Sequence, residues 1–305
     1  MKTLRPASTF AAFALLALAF TSIASAQIPN RTWVSGVGSD QNPCSRTAPC
    51  LTFNGALSKT VAGGEIDCLD PGDFAPVIIT KSVTIDCAGN LGSILNNGGT
   101  AININAGAND LVTIRNLTLN GGGIQSLNLG VNYQSAKAVH LENVHMIGFN
   151  DFCVQAIAGT GGQLMISDSN LENCGRGVSV ASTSGTLVVN IHGTRIWNTN
   201  QAVATGDGTR ITISDCSLFY NTNAIIGGAG ANGSTVTIVG STMGYSTVST
   251  LRGGANTFIL AFGNTFVNNA LIYDPNGGTI FTGTDNVNSA NGPTGTANGG
   301  NIPKV

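Results

Sequence analysis

Apolar and polar positions along most of this chain restate one short phrase. An apolar strand ends on Ile114, Leu141, Ile166, Ile191, Ile213, Ile238 and, more loosely, Ala261, with successive anchors 22 to 27 residues apart. Two residues beyond each anchor stands a bend residue, in order Asn116, Asn143, Asp168, Gly193, Asp215, Gly240 and Gly263. Three further on, the chain is apolar again at Leu119, Met146, Leu171, Ile196, Leu218, Met243 and Phe266. Alternation with period two marks half-buried strands. A repeat of this length leaves no room for long helices, so it predicts a solenoid of stacked β-coils in which each coil covers the next.

A third strand closes each coil, as in Gly177-Val178-Ser179-Val180, Ala202-Val203-Ala204 and Ala224-Ile225-Ile226. The corners carry Asn198 and Asn200, Asn221 and Asn223, Asn268 and Asn269. Asparagine tolerates left-handed backbone and can bond its counterpart one coil away, which makes these corners structural. Asp168 and Asp215 are read the same way, as bend residues. A leucine-rich repeat shares the period but demands leucine at most consensus sites; Val, Ile, Thr, Gly and Asn stand there instead.

Ahead of the coils, Arg31-Thr32-Trp33-Val34-Ser35 reads as a first strand and Gly36 to Pro49 as a polar loop. Leu51 to Val61 has helical spacing, with Leu51, Phe53, Ala56, Leu57 and Val61 near one face and Gly63-Gly64 as its stop. Such a helix shields the open end of a solenoid. The expected organisation is a secretory signal over 1–26, a first strand, loop and capping helix over 27–64, coils over 65–286, and a loose Gly/Asn-rich tail over 287–305. Lys2 and Arg5, the apolar run Phe13 to Phe20 and Ala24-Ser25-Ala26 carry the signal reading. No membrane span is expected.

Composition narrows the partners. Charged residues make up 9% of the chain against 42% hydrophobic, and the net charge of −2 drops to −4 once Lys2 and Arg5 leave with the signal. A weakly acidic chain is a poor nucleic-acid binder. Export to the periplasm or the medium allows disulfides. Cys44 and Cys50 bracket a short loop, Cys68 and Cys87 end the twin phrases Glu65-Ile66-Asp67-Cys68 and Thr84-Ile85-Asp86-Cys87, and Cys153 and Cys174 lie 21 apart. These are the expected pairs, with Cys216 left as a buried thiol. Without a C-x-x-C pair or histidines at ligand spacing, no metal site is expected.

At this level the chain resembles the right-handed parallel β-helix proteins of the pectin-lyase-like superfamily. The likeness rests on Trp33-Val34-Ser35, Gly38-Ser39-Asp40, Pro49-Cys50-Leu51-Thr52-Phe53, Ala56-Leu57, Gly64-Glu65-Ile66, Pro71-Gly72 and Val83-Thr84-Ile85-Asp86, and the coils extend it over roughly 31–285. It implies an all-β fold, a right-handed single-stranded parallel β-helix with an N-terminal capping α-helix. It does not bring an activity, because this helix carries lyases, hydrolases, esterases, epimerases and adhesins. The R-x-P-x-x-R phrase of pectate lyases is missing. Of the polygalacturonase phrases, only echoes remain in Asn198-Thr199-Asn200, His192-Gly193 and Arg195-Ile196. Gln201-Ala202-Val203-Ala204 matches a pectin methylesterase segment, yet Tyr220-Asn221-Thr222-Asn223 and Asn256-Thr257-Phe258-Ile259 lack its catalytic carboxylates.

The coil register supplies an independent constellation. Neighbours of an inward anchor point outward. Thr113 and Arg115, His140 and Glu142, Met165 and Ser167, Asn190 and His192 therefore share one exterior sheet, with Thr118, His145, Asn170 and Arg195 outward past the bend. All three histidines fall beside Arg115, Glu142 and Arg195, and stacking about 4.8 Å apart puts Arg115 within ion-pairing reach of Glu142. One reading is a sugar-acid site, with His140, Glu142 and His145 as acid and base and Arg115, Arg195 and His192 holding the substrate. The other is a surface salt bridge with solvated histidines on a wall of Thr and Ser. Glu172 and Arg176 are expected to form an exposed local pair.

Two functions follow. The first is a secreted, bacterial-type β-helix that binds a polysaccharide or cell-surface glycan without cleaving it, as the absent catalytic phrases suggest. The second is a carbohydrate-active enzyme (lyase, hydrolase or epimerase) acting on an acidic polysaccharide. No cofactor is expected, except calcium in a lyase. Aromatic rings along a groove would favour sugar binding in either case; after the signal the only tryptophans are Trp33 and Trp197.

Overall fold

The computed structural model describes residues 29–123, 127–228 and 230–302. The expected signal segment lies outside them. The chain winds through three parallel sheets of twelve, ten and nine strands, each successive strand of a sheet contributed by the next coil. This is a right-handed parallel β-helix. The first sheet contains the anchor strands, such as Leu111–Arg115, Ala138–Glu142 and Gly162–Ser167. The second holds the short strands past the bend, such as His145–Ile147 and Arg195–Trp197. The third holds the closing strands, such as Arg176–Ser182.

The alternation explains the core. Ile114, Leu141, Ile166, Ile191, Ile213, Ile238 and Ala261 are buried and stacked in register, as are Leu119, Met146, Leu171, Ile196, Leu218, Met243 and Phe266. The bend residues Asn116, Asn143, Asp168 and Asp215 all have left-handed backbone, φ between 50° and 56°, and Gly193, Gly240 and Gly263 complete the column. Their polar side chains bond along the stack: Asn143 Nδ2 donates to Asn116 Oδ1 at 2.7 Å, and Asn116 Nδ2 to Asp86 Oδ1 at 2.7 Å.

The N-terminal helix spans Phe53–Lys59, within the expected segment, and buries Phe53, Ala56 and Leu57 against the first coils. Thr52 is its N-cap, accepting the Gly55 N–H at 3.0 Å. Disulfides join Cys44 to Cys50, Cys68 to Cys87 and Cys153 to Cys174, with Cα atoms 4.6, 4.7 and 5.7 Å apart. Cys216 is a buried free thiol. The stack continues beyond 286, where a loose tail was expected: Val287–Ser289 and Gly300–Ile302 add strands to the second and first sheets. Asn286 and Asn291 account for this, because their amides bond back to the Ala261 and Phe266 carbonyls at 2.8 and 2.9 Å.

Candidate functional site

The parallel register places Arg115 directly beside Glu142, and Thr113 beside His140, on the exterior of the first sheet. Ser167 and His192 follow in the Glu142 row. His145 and Arg195 lie across the bend in one row of the second sheet, separated by Asn170. The sequence-predicted group is thus split between two sheets that meet at an angle. His140 Nε2 is 3.2 Å from Ser167 Oγ, and His192 Nδ1 is 3.0 Å from Ser214 Oγ. His145 Nε2 bonds Glu172 Oε1 at 2.8 Å.

Two expected pairings are corrected. Arg115 Nη2 reaches Asp86 Oδ2 at 3.2 Å, on the coil before its own, and not Glu142 on the coil after. Sequence register offers Arg115 a carboxylate on each side, and the Asp86 side chain is already oriented by Asn116. Glu172 does not pair with Arg176. It lies diagonally from His145 on the next coil, and its other oxygen accepts Trp197 Nε1 at 2.5 Å. Arg176 instead lies over the Phe152 ring, 5.2 Å from its centroid.

Two features of this surface were not foreseen. The first is a cleft of ≈ 380 Å³ at the N-terminal end of the first sheet, lined by Arg31, Arg46, Glu65, Asp67 and Asp86. Glu65, Asp67 and Asp86 come together because Glu65 and Asp67 share one strand face and Asp67 pairs with Asp86 across strands. Arg31 is bound to Asp67 and lies 3.3 Å from Glu65. Burial, then the hydrogen bond and charge of Asp67, push the Glu65 carboxyl above its ordinary value against the pull of Arg31. The twin Glu-Ile-Asp-Cys and Thr-Ile-Asp-Cys phrases were the signal; they served only to place the cysteines.

Arg31 pairs with Asp67 and Glu65, and Arg115 with Asp86, so each carboxylate of the cleft already faces a guanidinium.

The second feature is aromatic. Trp197 and Phe219 are neighbours in the outer row of the second sheet, and Tyr220 and Tyr245 occupy the corner just beyond it. The coil alignment contained this signal, because both tyrosines fall where other coils carry Asn173, Asn198 and Asn268.

No protein family and no curated protein matches the sequence. Solved structures do match the shape. An alginate lyase from Paenibacillus sp. str. FPU-7 superposes with a TM-score of 0.61 at 16% identity, over 89% of this chain and 99% of that one. The pectate lyase Pel9A superposes with a TM-score of 0.60 at 11% identity, over 90% of this chain and 78% of that one. The fold is the parallel β-helix that these two lyases share. At such identities the likeness carries the architecture and none of the chemistry, so function rests on the residues above.

Proposed function

We propose that this protein is an extracellular β-helix that binds a polysaccharide without cleaving it. One observation carries the reading: His145 and Arg195 stand on a different sheet from His140 and Glu142, and four of the six predicted residues are engaged elsewhere. Arg115 is held by Asp86, His145 by Glu172, His140 by Ser167, and His192 by Ser214 with Asp215 Oδ2 3.5 Å away. A β-elimination needs a base beside the proton α to a uronate carboxyl, with a cation holding that carboxyl. The one cation in register beside His140 and Glu142 is Arg115, and it is held by Asp86. The three disulfides fit an oxidising compartment, and the similar folds belong to proteins named for pectate and alginate.

A lyase reading has one specific observation in its favour, the cleft around Glu65. A carboxyl with a raised pKa stands there beside Asp67 and Asp86, with Arg31 and Arg46 to face an acidic sugar. One carboxylate would take the α proton, and Glu65, whose carboxyl holds a proton more readily than usual, would deliver one to the departing glycosidic oxygen as the double bond forms.

Incubation with pectate, alginate and neutral polysaccharides, followed by ultraviolet absorbance for unsaturated ends and assay of reducing ends, separates the two. Retention on a polysaccharide with neither signal supports the binding role. Turnover lost in Glu65→Gln would establish the lyase at the cleft. Turnover lost in Glu142→Gln or His140→Ala would instead return it to the predicted group.

A further inference from the structure

We propose that the Trp197, Phe219, Tyr220 and Tyr245 rings form a binding platform for an uncharged polysaccharide chain lying along the solenoid axis. It rests on the polysaccharide-binding reading above and locates the site away from the charged first sheet.

The backbone is the first argument. The corner after the second sheet is left-handed on coil after coil: φ is 57° at Asn173, 53° at Asn198, 56° at Tyr220, 57° at Tyr245 and 51° at Asn268. Asparagine is suited to this conformation, whereas a bulky residue with φ > 0 is an outlier that persists where something else requires it. Asparagine also gains a bond along the stack here, Asn198 Nδ2 donating to Asn173 Oδ1 at 2.6 Å. Two consecutive coils give up both advantages to place tyrosine.

The side chains show what is obtained. Tyr220 and Tyr245 stack with centroids 4.8 Å apart and planes 16° from parallel, and remain 54% and 40% exposed. Phe219 lies 6.4 and 6.3 Å from them. The next residue in the Phe219 row is Gly244, where a Cβ would come within 2.7 Å of the Phe219 ring, so glycine leaves that ring its place. Trp197, 37% exposed on the preceding coil, is fixed through Nε1 by Glu172. Rings on three successive coils form a strip parallel to the axis.

Charge selects the ligand. The groove beside the tyrosines is lined by Thr247, Asn268, Asn269, Ala290 and Gly292, with no Lys, Arg, Asp or Glu, and the carboxylate at the Trp197 end of the strip, Glu172, is bonded to Trp197 and His145. A nucleic-acid strand would stack on such rings but needs cations for its phosphates. A uronate chain would need them for its carboxylates. A stable protein partner needs roughly 1,000 Å² or more of complementary surface. A neutral glycan needs neither: its C–H groups pack against the aromatic surface left exposed by the Tyr220–Tyr245 stack, and its hydroxyls meet amides and hydroxyls at the rim.

Affinity electrophoresis of the full chain through gels containing neutral β-glucan, mannan, pectate or alginate tests this, with Tyr220→Asn/Tyr245→Asn and Trp197→Ala as variants. The double variant restores the residue found on neighbouring coils, so its Tm is expected to equal or exceed that of the parent. Retardation by a neutral polysaccharide, weakened at least about tenfold in the double variant at unchanged Tm, is the expected result. Neutral-glycan binding that survives the double variant overturns the platform and leaves the binding function standing. Retardation by pectate or alginate alone does the same. Retardation by none of the four polysaccharides overturns both.

Discussion

Arg115 Nη2 lies 3.2 Å from Asp86 Oδ2, although Glu142 stands beside it in register on the opposite side. Asp86 is the better-anchored partner, because its Oδ1 also accepts from Asn116 Nδ2 at 2.7 Å and from the Ala88 N–H at 2.9 Å. Exposed ion pairs contribute about 0–1 kcal/mol, while hydrogen bonds to a charged group contribute about 1.5–3 kcal/mol. Asp86→Ala is therefore expected to cost about 1–3 kcal/mol in urea unfolding, and Arg115→Ala about 1 kcal/mol or less. Double-mutant cycles check the geometry: coupling of Arg115 to Asp86 should exceed its coupling to Glu142, and the reverse order would place the guanidinium on the other carboxylate.

Asp40 ties the polar loop to the start of the helix. Its carboxylate accepts from the Leu51 and Thr52 N–H groups, both at 2.9 Å, and from Thr52 Oγ1 at 2.8 Å. Burial opposes ionisation, but these bonds and nearby Lys59 outweigh it and hold the carboxyl below its usual range. A depressed folded-state pKa gives stability that is present above the unfolded value, about 4, and is lost as pH falls through the folded value. Asp40→Asn should cost about 1 kcal/mol at pH 7. The difference in Tm between parent and variant should close as the pH is taken below about 4. A difference that persists undiminished at pH 2 would attribute the contact to shape instead of charge.

Cys216 is buried in the stack, where burial pushes its thiol up to about 11. Its Sγ faces the Ser214 and Ile191 carbonyls at 3.2 and 3.5 Å. The thiolate is the reactive form, so both access and ionisation protect it. Among the described cysteines it is the only free one. Iodoacetamide at pH 8 is expected to leave the native protein unmodified and to add one label per chain in denaturant without reductant. Rapid native labelling, or more than one label in denaturant, would contradict the burial or the disulfide pairing.

The architecture was legible because it is written locally. Strand alternation and a fixed step to each bend identify Ile114 as inward and Asn116 as the corner, and no long-range information is needed for either. The tail reads as a linker by composition, although Asn286 and Asn291 occupy the same ladder positions as Asn264 and Asn269. Contacts between coils were harder to read. Register names two neighbours for every outward residue, so it could not choose Asp86 over Glu142 for Arg115. Nor could it show that Glu172 reaches diagonally to His145 while its other oxygen accepts from its register neighbour Trp197. Tyr220 and Tyr245 stand out in the repeat but carry no charge that announces chemistry. Their meaning comes from backbone angle and ring geometry, which a sequence does not print.

One corner of the inner ladder is incomplete, and filling it should stabilise the fold. Successive coils place Asn221, Ser246, Asn269 and Asn291 at this inward position. Each asparagine accepts from the backbone of the preceding coil, Asn221 from the Thr199 N–H at 3.0 Å, Asn269 from the Ser246 N–H and Asn291 from the Asn269 N–H, both at 2.9 Å. Each also donates to a carbonyl of that coil, at Ile196, Met243 and Phe266. The serine hydroxyl is too short to make either bond, and the buried Ser246 Oγ has no partner. Ser246→Asn should accept from the Asn221 N–H and donate to the Leu218 carbonyl by the same step. One or two buried hydrogen bonds are together worth about 1–2 kcal/mol, or roughly 2–6 °C in Tm for a domain of this size. Asn269→Ala, which strips the Ser246 N–H and Met243 carbonyl of their partners, should lower stability by about 1–3 kcal/mol. If Ser246→Asn lowers Tm while Asn269→Ala also does, the corner is too tight for a fourth asparagine, and the serine stands there because of packing.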